Sequence, residues 1–247
     1  MRIRGWTLPV AVGLTALLTA ASSAQPSVTR VRHREMPAEP VVVELFTAQG
    51  CAGCPEANAR VEAVAAEPGV IALTYAVDYW DYLGWSDTFA RPEFAQRQRD
   101  YLSALRLRNV YTPQIVIDGH RQVSASAPPA VQTAVDEEAA RRVFPPQIEF
   151  RETGDRVGVG SGRPPAGGAE VWAVTYRPGP QVVSVNGGDN RGQSVRHVNV
   201  VSDLRKLGDW TGRPVLYALP DARSANQSVV VMVQAKTDRR IISAASL

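Results

Sequence analysis

The stretch ELFTAQGCAGCPEANARVEAVAA, Glu44 to Ala66, carries both cysteines of a 247-residue chain, Cys51 and Cys54. Together with the preceding Val41, Val42 and Val43, its first residues form a β-branched, apolar run of the kind found in a buried strand. From Cys54 onward, Ala57, Val61, Val64 and Ala65 recur at helical spacing. Pro55 suits an early helix position, where its missing N–H costs nothing, and Glu67-Pro68-Gly69 stops the helix. The segment therefore reads as strand, cysteine turn, helix.

Two cysteines three positions apart admit three physical readings. As a staple the pair is weak: a four-residue ring is worth about 2 kcal/mol before strain is subtracted. As a zinc site it is incomplete, because structural zinc needs four ligands and His33, His120 and His197 have no ligand-like spacing. Two thiolates do suffice for Cu(I), so a copper carrier stays open as an alternative. As a redox pair it is well placed. A thiol at a helix N-terminus is made acidic by free N–H groups and the macrodipole, which makes Cys51 the attacking sulfur and Cys54 the resolving one.

Residues 1–24 read as a secretory signal: Arg2 and Arg4, the apolar run WTLPVAVGLTALLTAA, then small residues before Gln25. The run's 16 residues fall short of the ~20 that a spanning helix needs, and no later stretch is apolar enough. A periplasmic or secreted protein without a stable membrane anchor is expected, and in an oxidising compartment the pair becomes a Cys51–Cys54 disulfide. Cleavage removes two of the three net positive charges and leaves +1, so nothing in the charge calls for nucleic acid.

Residues 25–39 are polar and aperiodic, a flexible N-terminus. Over 40–143 the pattern predicts strand (41–46), helix (54–66), strand (70–77), an aromatic loop, helix (92–106), strand (114–117), strand (121–123) and helix (128–142). Beyond Phe144-Pro145-Pro146 short alternating strands separated by Gly, Pro and Asn predict a second, smaller domain over 144–247, mainly antiparallel and sandwich-like, with at most a turn at SDLRKLGDW (202–210). The turn-rich NGGDNRG at 186–192 reads as a solvated hairpin tip, with Asp189, Asn190, Arg191 and His197 as a polar site the less favoured reading.

NVYTPQIVIDG puts Thr112-Pro113 at the mouth of a strand. It resembles the cis-proline element that thioredoxin-like proteins set opposite a C-x-x-C pair. VVVELFTAQGCAGCPEANA, VDYWDYLGWSDTFA, RQRDYLSALRLRNVYTPQIVIDG and NGGDNRGQSVRHVNVVSDLRKLGDWTG are similar to the secreted bacterial family catalogued as domain of unknown function 1223, over nearly all of residues 41–245. That resemblance implies an α/β thioredoxin-like fold for the first domain. It implies that Pro113 keeps the substrate edge open and that the Thr112 backbone pairs with a substrate peptide. It further implies that Glu44, seven positions before Cys51, accepts a proton from the resolving thiol. Trp80 and Trp85, in the aromatic loop, are candidates for gripping substrate or for packing a domain junction.

The expected function is an exported thiol–disulfide oxidoreductase that acts on thiols or disulfides of other exported proteins. It would need no cofactor and would exchange electrons with a membrane donor or acceptor. A Cu(I) carrier on the same thiolates and a redox-inert interaction module are the alternatives.

Overall fold

The structure is a computed structural model, described here for Gly5 and residues 39–125, 128–141, 145–220 and 224–247. The expected signal segment, 1–24, and most of the expected flexible stretch, 25–39, lie outside the described residues.

The first half forms the predicted elements in the predicted order. Strand β1 (Val41–Thr47) leads through the cysteine turn into helix α1 (Cys54–Ala65), and β2 (Val70–Ala76) returns beside β1. A 3-10 turn at Asp81–Leu83 precedes α2 (Pro92–Ala104), and β3 (Gln114–Ile117), β4 (Arg121–Val123) and α3 (Pro128–Ala139) follow. β1 runs parallel to β2 and antiparallel to β3. In β1 the side chains alternate faces, as the two-residue period of a strand requires. Val42, Glu44 and Phe46 face α2, whereas Val43 and Leu45 face α1 and α3.

The second half corrects the expected architecture. Its strands are β5 (Ile148–Phe150), β6 (Arg156–Val159), β7 (Ala169–Ser184), β8 (Ser194–Trp210), β9 (Val215–Ala218), β10 (Ser228–Ala235) and β11 (Ile241–Ser246). Four of these extend the first half's own sheet, giving one mixed eight-stranded sheet in the order β11-β10-β7-β8-β2-β1-β3-β4. Residues 37–247 form one compact unit. An α/β thioredoxin-like domain followed by a separate, smaller β sandwich is therefore not what the chain builds. The physical reason is the free edge of β2: an unpaired strand edge leaves a row of donors and acceptors exposed, and β8 covers it in parallel.

Two local misreadings hid this. The prolines in RPGP (177–180) look like a strand break, but they sit in a bulge of one long strand, where Pro180 still pairs with Val198. SDLRKLGDW is the continuing half of β8. Only β5, β6 and β9 form a separate three-stranded sheet. Val157 and Val159 of that sheet pack against Val171, Val229 and Val231 of the large one.

The strand pairing between the halves is narrow, although they share a core. One backbone bridge pairs Thr74 with Val200, and two side chains reinforce it. Thr74 Oγ1 donates to the Val198 carbonyl at 2.6 Å, and Asn199 Nδ2 donates to the Ala72 carbonyl at 3.0 Å. Asn199, at a φ of 49°, also accepts the Gly179 N–H of the bulge. Asparagine tolerates that left-handed conformation better than most residues.

Candidate functional site

The site grows from the C-terminal end of β1. After Thr47 the chain turns through Ala48, Gln49 and Gly50 to Cys51, whose N–H donates to the Ala48 carbonyl. Cys54 opens α1, with Gly53 as its cap residue and Pro55 in its first turn. The cysteines are joined in a disulfide, their Cα atoms 5.4 Å apart. Cys51 therefore stands one turn ahead of the helix, and the resolving cysteine is the first helical residue. Cys51 is 3% exposed and Cys54 fully buried, while Ala52 and Gly53 between them face solvent.

Four segments surround this turn. From β3's approach, the Thr112–Pro113 peptide is cis, and Pro113 Cδ lies 3.5 Å from where a Cβ on Gly53 would sit. From the aromatic loop, Trp80 packs toward Gly50 and its indole N–H donates to Thr112 Oγ1 at 2.7 Å. Trp80 stacks on Tyr82, which is 78% exposed, and Tyr111 is also open to solvent. Trp85 reaches the turn from the other side, its Nε1–H donating to Gln49 Oε1 at 2.8 Å.

Gln49, fully buried, organises the third segment. Its backbone N–H donates to Asp87 Oδ2 at 2.6 Å, and its side chain bonds Thr88 as well as Trp85. Burial pushes the Asp87 carboxyl up, partly offset by the N–H groups of Gln49 and Phe89 that it accepts. The fourth segment is the supposed hairpin tip. Asn190 is 3% exposed, and its Nδ2 donates to the carbonyls of Gln49 and Cys51, each at 2.8 Å. The Asp189 N–H donates to the Gly50 carbonyl at 3.1 Å. A solvated tip was the wrong reading: the loop is seated on the cysteine turn. Gly188 permits the approach, since its φ is +67° and a Cβ there would lie 2.8 Å from Gly50 Cα.

Glu44 lies in a different environment from the one expected. It is fully buried, with Arg97 Nε donating to Oε1 at 2.6 Å and Tyr101 OH bonded to Oε2. Gln234 of β10 closes the network by contacting both Arg97 and Tyr101. Burial pulls the Arg97 guanidinium down, but Glu44, Tyr101 and Tyr75 outweigh it and hold it above its usual value. Both oxygens of Glu44 are thus engaged, Oε1 in a buried ion pair with Arg97 and Oε2 as acceptor of the Tyr101 hydroxyl. His197 takes no part in the contacts of the cysteine turn described above. It is 1% exposed against the edge of Phe89, and neither ring nitrogen has a hydrogen-bond partner. Burial pushes this imidazole down to about 4.

The family described as a protein of unknown function, DUF1223, matches residues 42–234. The chain belongs to this family. Residues 42–234 include all the site residues just described, from the cysteine turn to Asn190. Among solved structures, a structural-genomics protein of Agrobacterium tumefaciens is 29% identical. The match covers 86% of this chain and 95% of that one, with a TM-score of 0.69. HBP35 of Porphyromonas gingivalis shares the fold at 14% identity, with a TM-score of 0.58 over 85% of this chain and 75% of that one. No curated protein matches the chain.

Sequence reading found Cys51, Cys54, Thr112, Pro113, Trp80 and Trp85, and the structure gathers all six around one turn. It missed Gln49, Asp87 and the seating of Asn190. The signal for Gln49 was faint: a lone polar residue between an apolar strand and the cysteines. Among the described residues no group of three or more His, Cys, Asp or Glu side chains is placed to hold a metal ion.

Proposed function

We propose that this DUF1223 protein is an exported thiol–disulfide oxidoreductase whose Cys51–Cys54 pair exchanges with thiols and disulfides of other exported proteins. One observation carries the reading. The two cysteines are bonded across a turn whose intervening residues are open to solvent, beside a rim of exposed aromatic side chains. Export is supported by the signal-like residues 1–24. No helix among the described residues is long and apolar enough to cross a membrane.

In the reduced protein the Cys51 thiolate attacks a substrate disulfide. A Cys51–substrate bond forms, the substrate S–S bond breaks, and the departing thiolate takes a proton from water. Cys54 gives its thiol proton to water and attacks Cys51 Sγ. The Cys51–Cys54 bond forms, the mixed disulfide breaks, and the second substrate thiolate takes a proton from water, so the substrate leaves as a dithiol, two electrons richer. The reverse sequence oxidises a substrate dithiol. Cys51, at 3% exposed, is the more accessible of two buried sulfurs, since Cys54 is fully enclosed. Pro113 and Thr112 border the turn where a substrate chain would lie. Trp80 is held to Thr112 and offers its face there, and Trp85 fixes Gln49 beneath it. A membrane donor or acceptor would return the pair to its working state.

The test is trapping. A Cys54→Ser protein, exported in cells, is expected to accumulate mixed disulfides through Cys51, visible as reducible high-mass species, whereas Cys51→Ser gives none. Absence of adducts from Cys54→Ser, with the protein folded and exported, would reject the reading.

A further inference from the structure

We propose that Asn190 is a positioning residue for the cysteine pair: its clamp on the turn sets the redox equilibrium of Cys51–Cys54. This rests on the exchange reading above, because it concerns the regulation of the same sulfurs.

The clamp takes three consecutive carbonyls. Asn190 Nδ2 bonds those of Gln49 and Cys51, and the Asp189 N–H bonds the one between them, Gly50. All three acceptors belong to the segment that delivers Cys51 to Cys54, and both donors come from the loop between β7 and β8, about 140 residues away in sequence. Glycine against glycine, at 188 and 50, lets the two backbones meet.

In the oxidised protein the S–S bond itself restrains the turn, so the clamp adds little order. In the reduced protein that covalent restraint is gone, and the clamp joins the Gln49–Asp87 contact and the turn's own backbone bonds in keeping Cys51 within reach of Cys54. Removing the clamp therefore frees the dithiol more than the disulfide. The balanced reaction is disulfide plus two glutathione thiols giving dithiol plus glutathione disulfide. Loss of Asn190 shifts this reaction toward the dithiol, because ring closure starts from a less ordered segment. Coupling is reciprocal: oxidation must tighten the clamp by the factor through which the clamp favours oxidation.

Two variants and one variant-free measurement test this. Asn190→Ala removes the donor, and Asn190→Asp keeps the shape but offers oxygens in place of the N–H groups. In glutathione buffers both are expected to lower the equilibrium constant for disulfide formation about tenfold, the ordering of the reduced turn that one or two net hydrogen bonds can hold. For a two-electron couple that is a rise of about 30 mV. A purely structural role would lower thermal stability equally in both redox forms and leave the constant unchanged, which would overturn the inference. In the wild-type protein, amide exchange at Asp189 is expected to be slower in the oxidised form by a similar factor. Equal rates would overturn it even if neither variant folded. A wild-type pair that never re-forms its disulfide would instead sink the exchange reading, and the Asp189 rates would still decide the clamp.

Discussion

Single residues in this protein are most informative where a polar group is buried. His197 sits neutral in the core, its imidazole pushed down to about 4, below the ordinary value near 6.5. Between those two values the unfolded chain binds a proton that the folded chain refuses. Stability contributed by this site is therefore intact at pH 7 and lost as the pH falls through 6.5 toward 4, by about 3 kcal/mol in all. Urea unfolding of wild type and His197→Phe at pH 7 and pH 4 isolates the effect from other titrating groups. The gap between them should shift by about that amount in favour of the variant at low pH, and a constant gap would mean the imidazole is solvated. The same residues mark the limit of reading this sequence. Glu44 is expected beside the resolving thiol and Asn190 in a solvated turn, and nothing in the local pattern marks Arg97 as buried. Each is buried because a partner distant in sequence satisfies it, and a one-dimensional pattern carries no record of that partner.

At the scale of elements, local signals proved sufficient wherever the chain obeyed them. The β-branched runs of β1 and β3, the 3-to-4-residue spacing of Ala57, Val61 and Val64, and the Pro68-Gly69 stop at its end all report the local backbone directly. So did the cysteine turn and Thr112-Pro113. What failed was punctuation. The expected short strands separated by Gly and Pro are one long strand at 169–184, whose bulge absorbs Pro178 and Pro180, and the continuous β8 then carries the chain back to β2. That contact is the thinnest part of the sheet, and its side-chain supports are accordingly expected to matter. Thr74→Val keeps the shape but removes the hydroxyl that the Val198 carbonyl accepts, leaving a buried acceptor unmet. A loss of about 1–3 kcal/mol is expected in denaturant titration, with the cysteine chemistry unchanged. A loss within error would show that the backbone bridge alone holds the seam.

The whole molecule was the scale least legible beforehand, because pairing between distant strands decides it. One core contains Val42, Phe46 and both cysteines together with Val174, Val201, Val230 and Met232 from the other half. A fragment of residues 40–143, the segment whose elements were all foreseen, would strip β2 of β8 and open that core. Such a fragment is expected to give no cooperative unfolding transition by circular dichroism and to bind a hydrophobic dye, whereas residues 37–247 unfold as one unit. A sharp transition in the fragment would restore the idea of two independent domains.

Glu39, at the start of the folded body, reaches the strand that ends it: its carboxylate accepts the Ala244 N–H at 2.9 Å and is bonded by the Ser243 hydroxyl. The first and last segments of the body thus lie side by side, three residues from Leu247. Residues 39–247 therefore close on themselves nearly as a ring. The arrangement of strands does not depend on where that ring is cut, so a short peptide joining 247 to 39 would let new ends be opened in the exposed stretch at 163–167. The order in which the elements are written along the gene is then one of several circular permutations compatible with the same sheet.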